Sequence, residues 1–159
     1  MPYLDAVVKE AARYRTGSVI GRSANSEISF SNGFKVPATA DHPIDITLDL
    51  RSVGDSFFVE KNGLDEKVLR TFDPERFLAK KYDSNTMGYQ VFSKGPRDCI
   101  GKAFAYLSMK IQLIHLYRNF RTELVVTTEE DRTLDRVNVL NFSFQFKTPP
   151  IIKFIRREQ

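Results

Sequence analysis

The segment over residues 92–105, Phe-Ser-Lys-Gly-Pro-Arg-Asp-Cys-Ile-Gly-Lys-Ala-Phe-Ala, constrains this chain more than any other stretch. It holds the only cysteine, Cys99, between Gly95 and Gly101, and it runs directly into an apolar-periodic stretch. A thiol at the start of a helix, with Arg97 just before it, sits where the helix dipole and a cation both favour a thiolate. Such a thiolate serves as a nucleophile or as a metal ligand. The two glycines let something flat or bulky approach the backbone without meeting a Cβ, which favours the ligand. A lone cysteine without such surroundings is more often a small buried hydrophobe.

The chain has 159 residues, 42% hydrophobic and 28% charged, enough for one domain-sized core or one piece of a larger domain. A single cysteine excludes an intramolecular disulfide framework and suits a reducing compartment, so an intracellular or cytosol-facing setting is expected. The net charge of +4 comes from scattered bases without a recognition motif, so no nucleic-acid partner is expected. No run of eighteen apolar residues exists, and the first residues lack the order of a signal peptide. Pro2, followed at once by an amphipathic stretch, reads as the first turn of a helix already inside a protein, as though the chain starts mid-fold.

Over residues 4–15, apolar side chains recur at Leu4, Val7, Val8 and Ala11, which predicts a helix with one buried face. Glu10 and Arg13 project from the same side of it, able to pair or to grip a third group together. Alone, such a pair is an exposed contact worth little. Residues 16–58 predict a small antiparallel sheet, with strands at 18–20, 27–30, 34–36 and 44–50 and turns at 31–33 and 41–43. Residues 60–71 read as a surface loop or short helix, and 79–90 as polar and turn-like.

After Cys99, Ala103, Phe104, Leu107, Met109, Ile111, Leu113, Ile114, Leu116 and Tyr117 predict a helix ending near Arg118 with a wide buried face. His115 on it reads as a packed or surface residue, since no second metal-spaced ligand accompanies it. In the tail, the alternation over 141–147 predicts a half-buried strand, and Pro149-Pro150 turns the chain into a last strand over 151–155. The class is α+β.

Phe92-x-x-Gly95-x-Arg97-x-Cys99-x-Gly101 resembles, at each fixed position, the haem-binding loop of the cytochrome P-450 superfamily. Chance agreement is on the order of one site in several million. The stretch ending in Glu10-Ala-Ala-Arg13 is similar to the family's ExxR helix, and Asp73-Pro74-Glu75-Arg76-Phe77 to its PERF segment. Residues 52–56, Ser-Val-Gly-Asp-Ser, depart from the family's usual His-Arg-Asp-Pro.

The resemblance implies the C-terminal part of the mainly-α P-450 fold. That part comprises the ExxR helix, a small antiparallel sheet, a meander, the Cys haem loop, a long helix and a terminal β-hairpin, with residues 1–159 forming one such region and the distal, N-terminal part absent. No Ala/Gly-Gly-x-Asp/Glu-Thr segment, the family's oxygen-activating helix, occurs. A buried triad is implied in which Glu10 lies between Arg13 and Arg76 and holds the loop in place.

Cys99 would be the catalytic thiolate and the iron ligand of haem b (iron protoporphyrin IX), pushing electron density onto the metal to favour O–O cleavage. Phe92 would cover the sulfur and Gly95 shape the loop. Arg97 would pair with a propionate, with Arg22 a second candidate, while Gly101 and Ala105 would let the porphyrin lie close. The implied activity is a monooxygenase for a small hydrophobic organic substrate. Lys94, Arg97 and Lys102 would dock an acidic electron-donor reductase. The implied location is the cytosol or the cytosolic face of the endoplasmic reticulum, with any membrane attachment through segments absent here.

On this reading the chain alone is inactive as an oxygenase, because a haem held on one side faces water on the other. The alternative is a truncated, non-catalytic structural or interaction module with weak or no haem binding. A hydroperoxide isomerase or dehydratase is a minor third option, because the regular cysteine loop differs from the altered loops of those relatives.

Overall fold

A computed structural model describes residues 1–14, 19–62, 65–69, 71–78, 88–125, 137–140, 143–146 and 150–158. Pro2 needs no intrahelical donor at the first helical position, and helix α1 runs Pro2–Tyr14, burying Ala6, Val8, Glu10 and Arg13. Asp5 in its first turn and Arg13 in its last both complement the helix dipole.

The following strands form two nested hairpin ladders. Strand β1 (Val19–Ala24) pairs antiparallel with β4 (Ile44–Asp49), from Val19↔Asp49 to Ala24↔Ile44. Between them β2 (Ile28–Ser29) pairs with β3 (Lys35–Val36). The inner turn is closed by the Phe30 N–H donating to Phe34 O at 2.8 Å and the Phe34 N–H donating to Asn32 Oδ1 at 3.0 Å. Gly33 at φ 84° supplies the left-handed residue that turn requires. The outer turn is held where Thr39 and His42 exchange hydrogen bonds, the Thr39 N–H to His42 O and the His42 N–H to Thr39 Oγ1.

Helix α2 (Leu50–Asn62) begins at the last residue of the strand expected over 44–50 and takes in residues 52–56, for which the sequence pattern predicts no helix. Leu50, Val53 and Phe57 do stand at helical spacing, and Leu50 is buried. Gly54 hides this signal because glycine disfavours a helix interior. Here it is selected by proximity: a Cβ on Gly54 would lie 2.6 Å from the Gly88 carbonyl oxygen.

Two short helices, α3 (Glu66–Leu69) and α4 (Glu75–Leu78), each begin at an aspartate. Asp65 Oδ1 accepts from the Lys67 N–H at 2.8 Å and Asp73 Oδ1 from the Glu75 N–H at 3.0 Å. They turn Leu69 and Arg76 inward. Leu69 and Tyr89 form the core cluster, with Phe57, Phe77, Val91 and Tyr106 packed against it. Most of the polar stretch expected over 79–90 lies outside the described residues.

Helix α5 (Lys102–Asn119) passes straight into β5 (Phe120–Val125), which pairs antiparallel with β8 (Ile151–Arg156). Strand β6 (Val137–Leu140) pairs with β7 (Ser143–Phe146), so the expected strand over 141–147 includes β7, its flanking residues lying outside the described ones. The expectation of a wide buried face on α5 is corrected: none of its residues is buried. Phe104, Leu107 and Ile111 are 77%, 59% and 56% exposed. Apolar side chains occur around most of this helix, while α1 covers one side of it, with the Lys110 ammonium paired to Asp5. Periodicity marks which residues can be buried, not whether a partner surface reaches them. No helix among the described residues is long and apolar enough to cross a membrane.

Candidate functional site

Glu10, fully buried, is surrounded by donors. Its Oε2 accepts from Arg13 Nε at 2.8 Å, and its Oε1 from Arg13 Nη2 at 2.9 Å, the Asp73 N–H at 2.9 Å and Arg76 Nε at 3.1 Å. Four donors satisfy a carboxylate that has lost its water. Both guanidinium groups are buried as well, and the Nη2 of each also donates to carbonyls. Arg13 Nη2 donates to Leu69 O at 2.6 Å, and Arg76 Nη2 to Val68 O at 3.0 Å and Thr71 O at 2.9 Å. Asp55 on α2 lies 3.6 Å from Arg13 Nη1. The cluster thereby joins α1, α2 and the segment carrying α3 and α4.

The thiol loop follows the core residue Tyr89. The Ser93 N–H donates to Gln90 O at 2.9 Å, and Ser93 at φ 62° and Gly95 at φ 85° reverse the chain. Gly95 tolerates that conformation at no steric cost. The Asp98 N–H donates to Gly95 O at 3.1 Å and the Cys99 N–H to Phe92 O at 2.9 Å, closing the loop on itself. The Lys102 N–H bonds Cys99 O at 3.2 Å and the Ala105 N–H bonds Gly101 O at 2.8 Å, so α5 begins directly behind the thiol.

Cys99 is free and exposed. A Cβ added at Gly101 would stand 3.7 Å from the sulfur, in ordinary van der Waals contact. Ile100 is wholly exposed beside it, as is most of Phe104 one turn into the helix. Phe92 is half-buried, its ring edge-on to Tyr106 at 5.0 Å. Arg97 is exposed, and Lys94, Lys102 and Ala105 are half-buried. Arg22 stands exposed on β1, its Nη1 donating to Gly21 O at 2.8 Å, and no hydrogen bond or ion pair among the described residues joins it to the loop.

Three participants carry no signal in the sequence: Asp55, Tyr89 and Tyr106. Each acts through a partner distant along the chain, which residue spacing does not disclose. His115 is exposed, and no group of three His, Cys, Asp or Glu side chains among the described residues is arranged to hold a metal ion. An apolar groove of about 800 Å³ lies between the start of α1 and the end of α5, lined by Leu4, Val7, Leu113 and Tyr117. No residue of the thiol loop lines it.

The sequence profile of the family described as Cytochrome P450 matches residues 70–150, which takes in α4, the thiol loop and α5. The chain belongs to the cytochrome P450 family. Cytochrome P450 3A13 of Mus musculus is 30% identical over 161 residues, covering 100% of this chain and 29% of that protein. Cytochrome P450 monooxygenase macH of Penicillium terrestre is 30% identical over 148 residues, covering 92% of this chain and 28% of that one. The chain therefore spans less than a third of the length of these relatives. The structure of retinoic acid bound cyanobacterial CYP120A1 shares the fold, with a TM-score of 0.77 and 24% identity over 99% of this chain and 33% of that one. The fold is thus the P450 fold, here as helices with small antiparallel sheets.

Membership of the P450 family, that of the haem-thiolate monooxygenases, implies a haem. The residues present fit one. A soft sulfur lies open at the surface, flush with a glycine backbone and flanked by the exposed apolar groups of Ile100 and Phe104. Arg97 beside it is an exposed cation suited to an acidic edge group.

Proposed function

We propose that this chain forms the proximal side of a haem-thiolate monooxygenase site, with Cys99 the ligand to the iron of haem b. The observation that carries the reading is the exposed Cys99 thiol on a loop closed by its own backbone bonds, beside an open apolar surface. The haem, when bound, supplies oxygen activation at an iron made electron-rich by thiolate.

The chain's own residues do the holding. The Cys99 N–H bond to Phe92 O sets the direction of the thiol, and Gly95 permits the reversal that presents it. Gly101 and Ala105 leave room for a flat ligand, Phe92 shields the sulfur, and Arg97 binds a propionate. Arg22 is a weaker candidate for a second propionate, since its guanidinium already serves a neighbouring carbonyl. The structural role of Glu10, Arg13 and Arg76 is to fix the frame behind the loop.

Lys94, Arg97 and Lys102 form the face on which an acidic reductase docks, and the substrate is a small hydrophobic organic molecule. Residues 1–159 act as one C-terminal P450-like region, the other side of the haem being supplied by the part of the family fold that this match does not cover. By likeness to the family, the working location is the cytosol or the cytosolic face of the endoplasmic reticulum.

The test is spectroscopic: haemin is added to the purified chain, reduced and exposed to carbon monoxide. The red-shifted Soret band of thiolate ligation is expected for wild type and not for Cys99→Ala; identical spectra overturn the assignment. The open face of α5 favours a second reading, a P450-like module that binds haem weakly and does not turn over. Haemin lost from the wild-type chain on gel filtration would select it, whereas haemin retained with its thiolate-type band would select the first.

A further inference from the structure

Two tyrosine hydroxyls link the Glu10 cluster to the thiol loop. Tyr89 is buried, and its hydroxyl donates to the Lys9 carbonyl at 3.0 Å, in the turn of α1 that carries Glu10. The Tyr106 hydroxyl lies 2.6 Å from the Tyr89 hydroxyl. A phenol has one proton to donate, and Tyr89 spends its own on a carbonyl that can only accept. Tyr106 is therefore the donor of the pair. Its ring, in the second turn of α5, stands edge-on to Phe92 at 5.0 Å and 65°. Phe92 in turn holds the Cys99 N–H on its carbonyl at 2.9 Å. On the other side, the Tyr89 ring stands edge-on to Phe77 at 5.5 Å, on the helix that supplies Arg76. An unbroken series of contacts thus runs from Glu10 and Arg76 to the thiol-bearing residue.

We propose that Tyr89 and Tyr106 are positioning residues for Cys99, their hydroxyl pair tying the α1 turn that carries Glu10 to the ring and backbone that aim the thiol. The inference rests on the proposed role of Cys99 as an iron ligand. Burial pushes the Tyr106 hydroxyl above the ordinary phenol range, so it keeps the proton it donates at neutral pH. Losing either hydroxyl leaves the rings in place and removes the tie. A neutral hydrogen bond of this kind changes an opening equilibrium by about two- to tenfold.

The experiment uses Tyr89→Phe, Tyr106→Phe, the double variant, and Tyr117→Phe as a control, since Tyr117 lies on the same helix and its hydroxyl meets Thr122 instead. Hydrogen exchange over residues 92–99 is measured in the haem-free chain. Each pair variant is expected to exchange about two- to tenfold faster there. The double variant should be no faster than the more affected single one, and Tyr117→Phe should match wild type. In the haemin-loaded, CO-bound proteins the pair variants should lose part of the thiolate-type Soret band to the unshifted one. If the variants melt earlier yet exchange over 92–99 stays at the wild-type rate, the proposal is overturned, because the pair then only adds stability. If wild type takes up no haem, the reading of Cys99 falls, while the exchange rates still decide whether the hydroxyls hold the loop.

Discussion

The two ends of this molecule's functional apparatus are built on opposite principles. Around Glu10 every oxygen and most guanidinium nitrogens meet a partner, and water is excluded. Around Cys99 the backbone is tied down, but the thiol, Ile100 and Phe104 face outward without cover. The contrast separates two tasks. A buried charge cluster adds little net stability against an apolar equivalent, yet removing one member is severe. It therefore enforces one arrangement of the segments it joins. An open apolar ledge carries no such internal penalty and is suited to receive something from outside.

The largest test of this contrast is Glu10→Ala. It leaves two buried arginines without their shared carboxylate, and a loss of about 3–5 kcal/mol in urea unfolding is expected. Near wild-type stability would mean that the cluster does not fix the frame.

Smaller, and unequal on the two sides, are truncations of apolar groups. Val8→Ala, in the buried face of α1, is expected to cost about 2 kcal/mol. Leu107→Ser, on the open face of α5, should change the chain's stability by less than about 0.5 kcal/mol. Equal losses at the two positions would show that the α5 face is covered in solution.

The smallest effect concerns pH. Burial acts to raise the Asp5 carboxyl, but its hydrogen bonds to Lys110 and Lys9 outweigh it and hold the group below the ordinary carboxylate range. A depressed folded value contributes stability that is present above the unfolded carboxylate range, near pH 4, and is lost as pH falls through the folded value. The pair is partly exposed and screened, so the contribution is below about 0.5 kcal/mol. Lys110→Met should lower the neutral plateau of a stability–pH profile by less than about 0.5 kcal/mol and leave its acid end close to wild type.

Much of the fold is legible from local rules. The spacing of Leu4, Val7 and Val8 marks α1, and Gly33 marks the inner turn of the nested ladders. The apolar run after Cys99 marks α5. What escapes is set by contacts far apart in sequence. Gly54 disguises α2, because its reason for being glycine is a carbonyl on another segment. Strand β5 escapes since the chain enters it from α5 without a turn residue. At the site, the spacing of Glu10 and Arg13 places them on one face, but nothing local brings Arg76 to them. Only the family resemblance suggested it. Tyr89 and Tyr106 are chemically ordinary until a third residue is seen between them and the loop.

The contact between Gly54 and Gly88 has a mechanical consequence. Two chain segments there touch main chain to main chain, with no side chain to yield between them. Side chains adjust by rotation; main chain moves only as a body. A shift of α2 against its neighbours would therefore arrive at residue 88 undamped, at the root of the segment that leads to Cys99.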